Sequence, residues 1–155
     1  MAAGMVLNNQ LTDFSLSPVD AAGAPVANAP AAGKRPRSSM APVIVLDREG
    51  RFVMAVGSPG GMSIPAYNAK VLVGVLDWDL TLQQAIDLPN MVARGPGTSA
   101  ETTKFTPEVV AGLAAKGITV RGSSAEGSGL HGVIVRDGKL EGAADPRREG
   151  VAKAP

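Results

Sequence analysis

The stretch GSPGG, residues 57–61, places a proline and two adjacent glycines directly after the apolar run 52–56 and directly before a segment with helical periodicity. Two interpretations fit. One is a tight turn that needs glycine for its backbone angles. The other is an anion site, because a glycine-rich turn before a helix presents backbone N–H groups and the positive end of the helix dipole. Such a site accepts a phosphate, a carboxylate or the oxyanion of an acyl-transfer intermediate.

The nucleotide-binding glycine motifs are not matched here. The stretch is neither G-x-x-x-x-G-K-[ST] nor G-x-G-x-x-G, and the strand before it is expected to pair antiparallel rather than within a βαβ unit. A nucleotide site is therefore not supported by this turn.

Short apolar runs on either side of the turn predict two β-hairpins. Residues 41–46 and 52–56 are nearly continuous in hydrophobicity, which is typical of a sheet covered on both faces. Residues 131–136 and 139–143 flank the turn dipeptide Asp137-Gly138. Brief strands are also predicted at residues 5–7 and 118–120.

Three helices are predicted between the hairpins. The first spans residues 64–78, with an apolar face at i, i+3 and i+4 spacing. The second begins at Thr81, which forms a capping box with Gln84, and ends at Pro89. The third begins at Thr106 with proline at its first position and ends at Gly117. The side chains expected to face inward are Ile64, Tyr67, Val71, Leu72, Val75 and Leu76 in the first helix, Leu82, Ala85 and Ile86 in the second, and Val109, Val110 and Leu113 in the third. Helices grouped between hairpins indicate an α+β fold with a mostly antiparallel sheet.

Composition bounds the classes of function. A chain of 155 residues with 45% hydrophobic residues is long enough for one packed domain. The net charge of +1 gives no general argument for nucleic acid, and the basic run 34–37 is interpreted as a solvated loop. The absence of cysteine and the single histidine exclude disulfides, thiolate nucleophiles and multi-histidine metal sites. No apolar run approaches the roughly 18–20 residues that a transmembrane helix needs, and no export signal is visible.

Several polar residues have both a functional and a structural interpretation. Ser38 and Ser39 sit before the first hairpin strand and either bind a ligand carboxylate or satisfy the local backbone. Gln10 and Asp13 follow the first predicted strand, where an aspartate either binds a substrate ammonium or forms a turn. His131 opens a strand with no catalytic partner in view. Thr102-Thr103 lies in a polar stretch typical of an edge strand or loop.

Taken in order, five motifs resemble one family. They are Leu7-Asn8-Asn9-Gln10-Leu11-Thr12-Asp13-Phe14-Ser15, Lys34-Arg35-Pro36-Arg37-Ser38-Ser39-Met40 with Pro42, Gly57-Ser58-Pro59-Gly60-Gly61, Asp77-Trp78 with Gln84-Ala85, and Ala144-Asp145-Pro146-Arg147. Their order and spacing resemble the small subunit of γ-glutamyltransferase (γ-glutamyltranspeptidase) over nearly the whole chain.

The resemblance implies a fold, a reaction and a set of site residues. The fold is the αββα sandwich of N-terminal-nucleophile hydrolases, and residues 1–155 would form part of the small-subunit domain, with a long Ala/Pro/Gly-rich surface loop at residues 15–35. The reaction is γ-glutamyl transfer or hydrolysis, typically of glutathione, without a cofactor or metal. Gln10 and Asp13 would bind the α-ammonium of the substrate, and Ser38 and Ser39 its α-carboxylate. The backbone N–H groups of Gly60 and Gly61 would form the oxyanion hole.

The chain also departs from the family pattern. Family members use the N-terminal threonine of the small subunit as nucleophile, in a Thr-Thr-His-x-Ser type stretch some dozens of residues before the Asn-Asn-Gln motif. Here Met1 stands only a few residues before Asn8, so the nucleophile and the large subunit are expected to lie outside this chain. Thr102-Thr103 lies downstream of the binding motifs and does not replace it. The loop is unusually rich in alanine and proline, and Ala144 stands where serine is frequent.

Three hypotheses follow. The chain is a C-terminal piece of a γ-glutamyltransferase, inactive alone; or it is one half of a split enzyme; or it is a non-catalytic module that binds γ-glutamyl compounds or glutathione. Acylase-type substrates, as in cephalosporin-acylase-like relatives of the same fold, are also left open. The resemblance implies a periplasmic or extracellular location.

Overall fold

The structure is a computed structural model that describes residues 4–5, 7–94, 97–122 and 127–153. The chain divides into two compact units, Met1–Ser38 and Ser39–Pro155. The strand predicted at residues 5–7 includes Val6, which lies outside the described residues.

The first unit is built mainly from turns. A 3₁₀ turn at Gln10–Asp13 is its one helical element among the described residues. The loop at residues 15–35 bonds to itself: Val19 and Pro25 form an isolated antiparallel bridge, and the Asp20 carboxylate accepts hydrogen bonds from the N–H groups of Ala22 and Ala24, both at 2.9 Å. Side-chain and backbone hydrogen bonds therefore order a segment that has little apolar surface to bury.

The second unit contains the named strands and α-helices. In chain order these are β1 (Val43–Leu46), β2 (Phe52–Gly57), α1 (Ile64–Leu76), α2 (Leu82–Asp87), β3 (Met91–Arg94), β4 (Gly97–Ala100), α3 (Pro107–Ala115), β5 (Val120–Gly122), β6 (His131–Arg136) and β7 (Lys139–Ala144).

The larger sheet confirms both predicted hairpins. Its strand order is β1-β2-β6-β7, and every neighbouring pair is antiparallel. Asp137 and Gly138 both have positive φ, at 51° and 74°, as the two-residue turn between β6 and β7 requires. The chain thus returns beside β2 after three intervening helices, which brings the residues before β6 close to the end of β2.

Helices α1 and α2 cover one face of this sheet, where the core lies. The predicted capping box is present: the Thr81 side chain accepts from the N–H of Gln84, and the Gln84 side chain accepts from the N–H of Thr81. The helix side chains Tyr67, Val71, Val75, Leu82, Ala85 and Ile86 pack with the strand side chains Met54, Val56, Ile134 and Ala143. Ile64 is buried as predicted, whereas Leu76 is exposed.

The opposite face of the sheet is exposed, so the expectation that both faces are covered is not met within the described residues. Ile44, Val133 and Leu140 point away from α1 and α2, and Ile44 and Leu140 are 69% and 74% exposed. Together with Val151 they line a shallow apolar groove across the strands. The hydrophobic pattern of these strands therefore predicts a covering layer on each face of the sheet. Among the described residues, α1 and α2 cover one face and the other is exposed.

A second, smaller sheet of order β3-β4-β5 was not predicted as such. The pairing of β4 with β5 is parallel, and the strand expected at residues 118–120 begins only at Val120. Thr106 caps helix α3 as predicted. Of the face expected to point inward, Val110 and Leu113 are half-buried, whereas Val109 is 44% exposed. Across the described ranges, no helix is long and apolar enough to cross a membrane.

Candidate active site

The glycine turn lies between the end of β2 and the start of α1. Gly60 and Gly61 have φ of 136° and 54°, values that favour glycine. A Cβ added to Gly60 would lie 2.5 Å from Cε2 of Tyr67, whose buried ring packs against the turn. Gly61 opens a 3₁₀ turn that leads directly into α1 at Ile64. Backbone angles and a close ring contact therefore both favour glycine in this turn, and its N–H groups lie at a helix start.

Ser38 and Ser39 fall on either side of the division between the two units. Ser38 is the exposed last residue of the first unit, and Ser39 is the half-buried first residue of the second. Within the second unit, the buried side chain of Asn68 donates from Nδ2 to the carbonyl of Ala41, two residues after Ser39. The segment that carries Ser39 is thereby attached to α1, the helix that follows the glycine turn.

Gln10 and Asp13 occupy the two ends of the 3₁₀ turn in the first unit. Asp13 is exposed, and its backbone is held by Asn28, whose Nδ2 donates to the Asp13 backbone carbonyl at 2.7 Å. The Oδ1 of the same amide accepts from the N–H of Arg37 at 3.0 Å. One side chain from the Ala/Pro-rich loop therefore holds Asp13 and the residue before Ser38 at its two ends.

A buried ion-pair network lies beyond the predicted site residues. Arg147, only 8% exposed, donates to both carboxylate oxygens of Glu101 at 2.8 and 2.7 Å and to Oδ1 of Asp145 at 3.0 Å. Its remaining bonds go to the carbonyls of Ile86 and Leu88 near the end of α2. Five hydrogen bonds therefore satisfy a guanidinium that would be costly to bury unpaired.

Asp145 is fully buried and organises the segment before β6. Its Oδ2 accepts from the hydroxyl of Ser128 and from the N–H of Leu130, the latter at 3.1 Å. Burial raises the pKa of Asp145, but the bonds from Ser128, from the backbone of Arg147 and Leu130, and from the Arg147 side chain outweigh it and hold that pKa below its usual value. Asp145 is therefore an anionic anchor for residues 128–130.

Lys70 from α1 reaches the same α2 terminus as Arg147. Its ammonium donates to the carbonyls of Ile86 and Leu88 at 2.9 and 2.7 Å and to Oδ1 of Asn90 at 2.9 Å. Burial, reinforced by the nearby Arg147 charge, lowers the pKa of Lys70 to about 8.

His131 and Thr102-Thr103 are the other reactive side chains considered from the sequence. His131 Nδ1 lies 2.8 Å from the carbonyl of Gly129, which favours the structural interpretation of this residue. Thr102 and Thr103 lie in a 3₁₀ turn, Thr102–Lys104, rather than in an edge strand.

The ion-pair network was not predicted from the sequence. Asp145 and Arg147 were noted as part of a motif but given no role, and their partners Glu101 and Ser128 were not noted. The one available signal was an acidic and a basic residue flanking Pro146 directly after a strand.

Comparisons with known proteins agree with this architecture. A sequence profile of the family Gamma-glutamyltranspeptidase matches residues 1–154. The Glutathione hydrolase proenzyme of Escherichia coli (strain K12) is 35% identical over 154 residues, covering 94% of this chain and 26% of that protein. The Acylase ACY 1 proenzyme of Pseudomonas sp. (strain SE83) is 34% identical over 153 residues, covering 97% of this chain and 26% of that protein.

The structural comparison gives the same family. A solved structure of gamma-glutamyltranspeptidase from Pseudomonas nitroreducens, complexed with L-DON, superposes with a TM-score of 0.81 at 31% identity. The match covers 99% of this chain and 83% of that chain. The fold is therefore that of the N-terminal-nucleophile hydrolases, to which this solved structure belongs. The chain spans about a quarter of the length of the curated relatives it matches, and it belongs to the gamma-glutamyltranspeptidase family.

Proposed function

We propose that this chain supplies the substrate-binding residues and the oxyanion hole of a γ-glutamyltransferase or hydrolase that acts on glutathione and other γ-glutamyl amides. The observation that carries the proposal is the glycine turn: two positive-φ glycines at a helix start, in a member of an acyl-transfer family. Because the chain spans 26% of its Escherichia coli relative, the activity is proposed for this chain together with the polypeptide that supplies the rest of the family's sequence. We call that pair the assembled enzyme.

The reaction assigns a role to each site residue. A threonine hydroxyl from the rest of the enzyme attacks the γ-carbonyl carbon, and the N–H groups of Gly60 and Gly61 donate to the oxyanion that forms. The amide C–N bond then breaks, and the hydroxyl proton leaves with the amine. Water or an acceptor amine cleaves the resulting ester. Each oxyanion donor contributes about 2.7–4 kcal/mol in comparable sites.

Selectivity for the γ-glutamyl group comes from its charged α-carbon end. Gln10 and Asp13 accept from the α-ammonium, and the hydroxyls of Ser38 and Ser39 donate to the α-carboxylate. The bond from Asn28 to the Asp13 backbone supports this proposal, because it fixes the backbone that carries the carboxylate.

The exposed sheet face supports a role for the rest of the enzyme as a structural partner. In an αββα sandwich the second sheet packs on the first at a distance of about 10 Å. The groove lined by Ile44, Val133 and Leu140 is the surface on which we propose that second sheet packs. The large subunit and the preceding part of the small subunit would supply it. The family resemblance places the assembled enzyme in the periplasm or outside the cell.

Turnover of a γ-glutamyl anilide tests the proposal. The purified chain is expected to show none, and the assembled enzyme is expected to release the aniline. Asp13→Asn should lower kcat/KM of the assembled enzyme by about 100-fold, since it removes the charge paired with the ammonium. The matched control Asp20→Asn keeps its turn-forming acceptor oxygen and should leave kcat/KM unchanged. An assembled enzyme without turnover, or Asp13→Asn with parental kcat/KM, contradicts the proposal.

The similarity to Acylase ACY 1 favours a second candidate, an acylase. A glutaryl anilide separates the two, because it differs from the γ-glutamyl substrate by the missing α-amino group. A γ-glutamyl enzyme prefers the γ-glutamyl anilide and loses that preference in Asp13→Asn, whereas an acylase prefers the glutaryl anilide. Heat of glutathione binding to the isolated chain, without turnover in the assembled enzyme, would instead indicate a non-catalytic binding module.

A further inference from the structure

The hydroxyl of Ser58 is bonded to the peptide that carries the Gly60 N–H. Ser58 Oγ donates to the carbonyl oxygen of Pro59 at 2.6 Å. That carbonyl and the Gly60 N–H belong to one peptide unit, which is trans. In a trans peptide the C=O and N–H bonds point in opposite directions. Holding the carbonyl on the Ser58 side therefore directs the Gly60 N–H to the other side.

The same hydroxyl also accepts a hydrogen bond, so the three groups form a chain. The N–H of Gly129 donates to Ser58 Oγ at 3.1 Å, and Ser58 Oγ then donates to Pro59. Successive bonds of this kind polarise one another, and withdrawal of electron density by a bond to the carbonyl makes the N–H of that peptide a better donor. The bond chain ends at the Gly60 N–H.

The Gly129 N–H, the first donor in this series of hydrogen bonds, is held in place by its neighbours. Ser128 and Leu130, on either side of Gly129, both donate to Oδ2 of the fully buried Asp145. Gly129 itself packs so closely on the turn that an added Cβ would lie 2.8 Å from Cγ of Pro59. The donor to Ser58 therefore sits on a segment with little freedom to move.

We propose that Ser58 is a positioning residue for the oxyanion donor: its hydroxyl orients and polarises the Pro59–Gly60 peptide, with Gly129 and the Asp145-anchored segment behind it. The inference rests on the proposed function of Gly60. Ser58 does not touch the substrate in this assignment. It acts on the reaction only through the peptide that it holds. Its loss should therefore raise the free energy of the transition state more than that of the bound substrate.

Kinetics of the assembled enzyme with a γ-glutamyl anilide test the catalytic consequence. Ser58→Ala should lower kcat by about tenfold, a fraction of the loss on deleting a donor outright, while KM stays within about twofold. Ser58→Cys keeps the size of the side chain but has a weak donor and should behave like Ser58→Ala. Ser58→Thr retains the hydroxyl and should recover most of kcat. An unchanged kcat in both the alanine and the cysteine variants overturns the proposal.

Amide hydrogen exchange on the full chain tests the same inference without activity. The Gly60 N–H should exchange more slowly in Ser58→Ala than in the parent, because the Pro59 carbonyl loses the bond that polarises the peptide and makes its N–H more acidic. It should return towards the parental rate in Ser58→Thr. Ser17→Ala is the matched control, because Ser17 Oγ makes a similar 2.6 Å bond to the carbonyl of Val19; it should leave Gly60 unchanged. A Gly60 exchange rate that does not respond to Ser58→Ala overturns the inference. If the parent assembled enzyme shows no turnover but the Gly60 exchange rate responds to Ser58→Ala, only the proposed function is overturned.

Discussion

Arg147 connects three parts of the second unit through a single side chain. It joins Glu101, after β4, to Asp145, after β7, and to the carbonyls at the end of α2. The sequence motif shows that Asp145 and Arg147 occur together. It does not show that Arg147 also pairs with Glu101, which lies 46 residues earlier in the chain. This residue-scale contact was therefore not predictable from local sequence, whereas the capping of α2 by Thr81 was.

The ion pairs predict how stability depends on pH. Burial raises the pKa of Glu101, but bonds from Arg147, the Asn90 backbone and Lys104 outweigh it, so that the pKa falls from 4.5 to about 2. A depressed folded-state pKa gives stability that is full above pH 4.5 and is lost as the pH falls towards 2. The free energy of unfolding of the parent chain, measured by urea denaturation, should therefore decrease across this interval.

Glu101→Gln isolates the contribution of this carboxylate. The variant should be less stable than the parent at pH 7, and the two curves should converge as the pH approaches 2. Asp145, whose pKa is also lowered, leaves a residual slope of the same sign in the variant. Glu49→Gln changes an exposed carboxylate and should stay within about 0.5 kcal/mol of the parent at pH 7. A constant gap between the parent and Glu101→Gln at all pH values would contradict the prediction.

At the scale of elements, α1 and α2 pack through a glycine. A Cβ added to Gly74 of α1 would lie 2.9 Å from Cβ of Ala85 and 3.5 Å from its Cα. Two small residues thus let the helices approach closely, and the covered sheet face depends on that approach because both helices contribute to the core. Gly112 of α3 also lies inside a helix, but nothing lies within 4 Å of its added Cβ.

Alanine substitutions at these two glycines should have opposite effects. Gly74→Ala forces the α1–α2 contact apart and should destabilise the chain by about 1–3 kcal/mol, in spite of the higher helix propensity of alanine. Gly112→Ala meets no neighbour and should stabilise α3 by about 0.4–1 kcal/mol. Thermal unfolding followed by circular dichroism measures the first effect, and amide exchange within α3 measures the second. Stabilisation by Gly74→Ala would show that the helices are not packed as closely as described.

Elements that are specified by a few neighbouring residues were predicted, and elements that depend on distant contacts were not. The turns and helix starts were predicted because capping and positive-φ glycine are local, as in the Asp137-Gly138 turn and the Thr106 cap. Strands β3 and β4 were missed because their sequences, MVAR and GTSA, carry little alternation of apolar and polar residues. The inward face of α3 was predicted only in part. Val110 and Leu113 are half-buried, but no described residue of α3 belongs to the buried core of the second unit.

At the scale of the molecule, the larger sheet is apolar on both faces, but the residues that the structure describes cover only one of them. A sheet with one solvated face usually alternates apolar and polar residues, whereas β6 carries Val133, Ile134 and Val135 in succession. Ile134 is buried under the helices, whereas Val133 lines the groove and Val135 is 37% exposed. The sequence of the strand is therefore that of a two-sided core, and an apolar face of this kind marks an interaction surface.

Charge placed in the groove should separate assembly from folding. Leu140 is 74% exposed in β7, so Leu140→Lys should leave the thermal unfolding of the isolated chain nearly unchanged. It should reduce the self-association of the chain, measured by sedimentation at increasing concentration, and it should prevent co-purification with the rest of the enzyme, because a lysine cannot be buried unpaired between two sheets. Val109→Lys alters an exposed valine on α3, outside the groove, and should assemble normally. If Leu140→Lys assembles as well as Val109→Lys, the second sheet does not pack on this face.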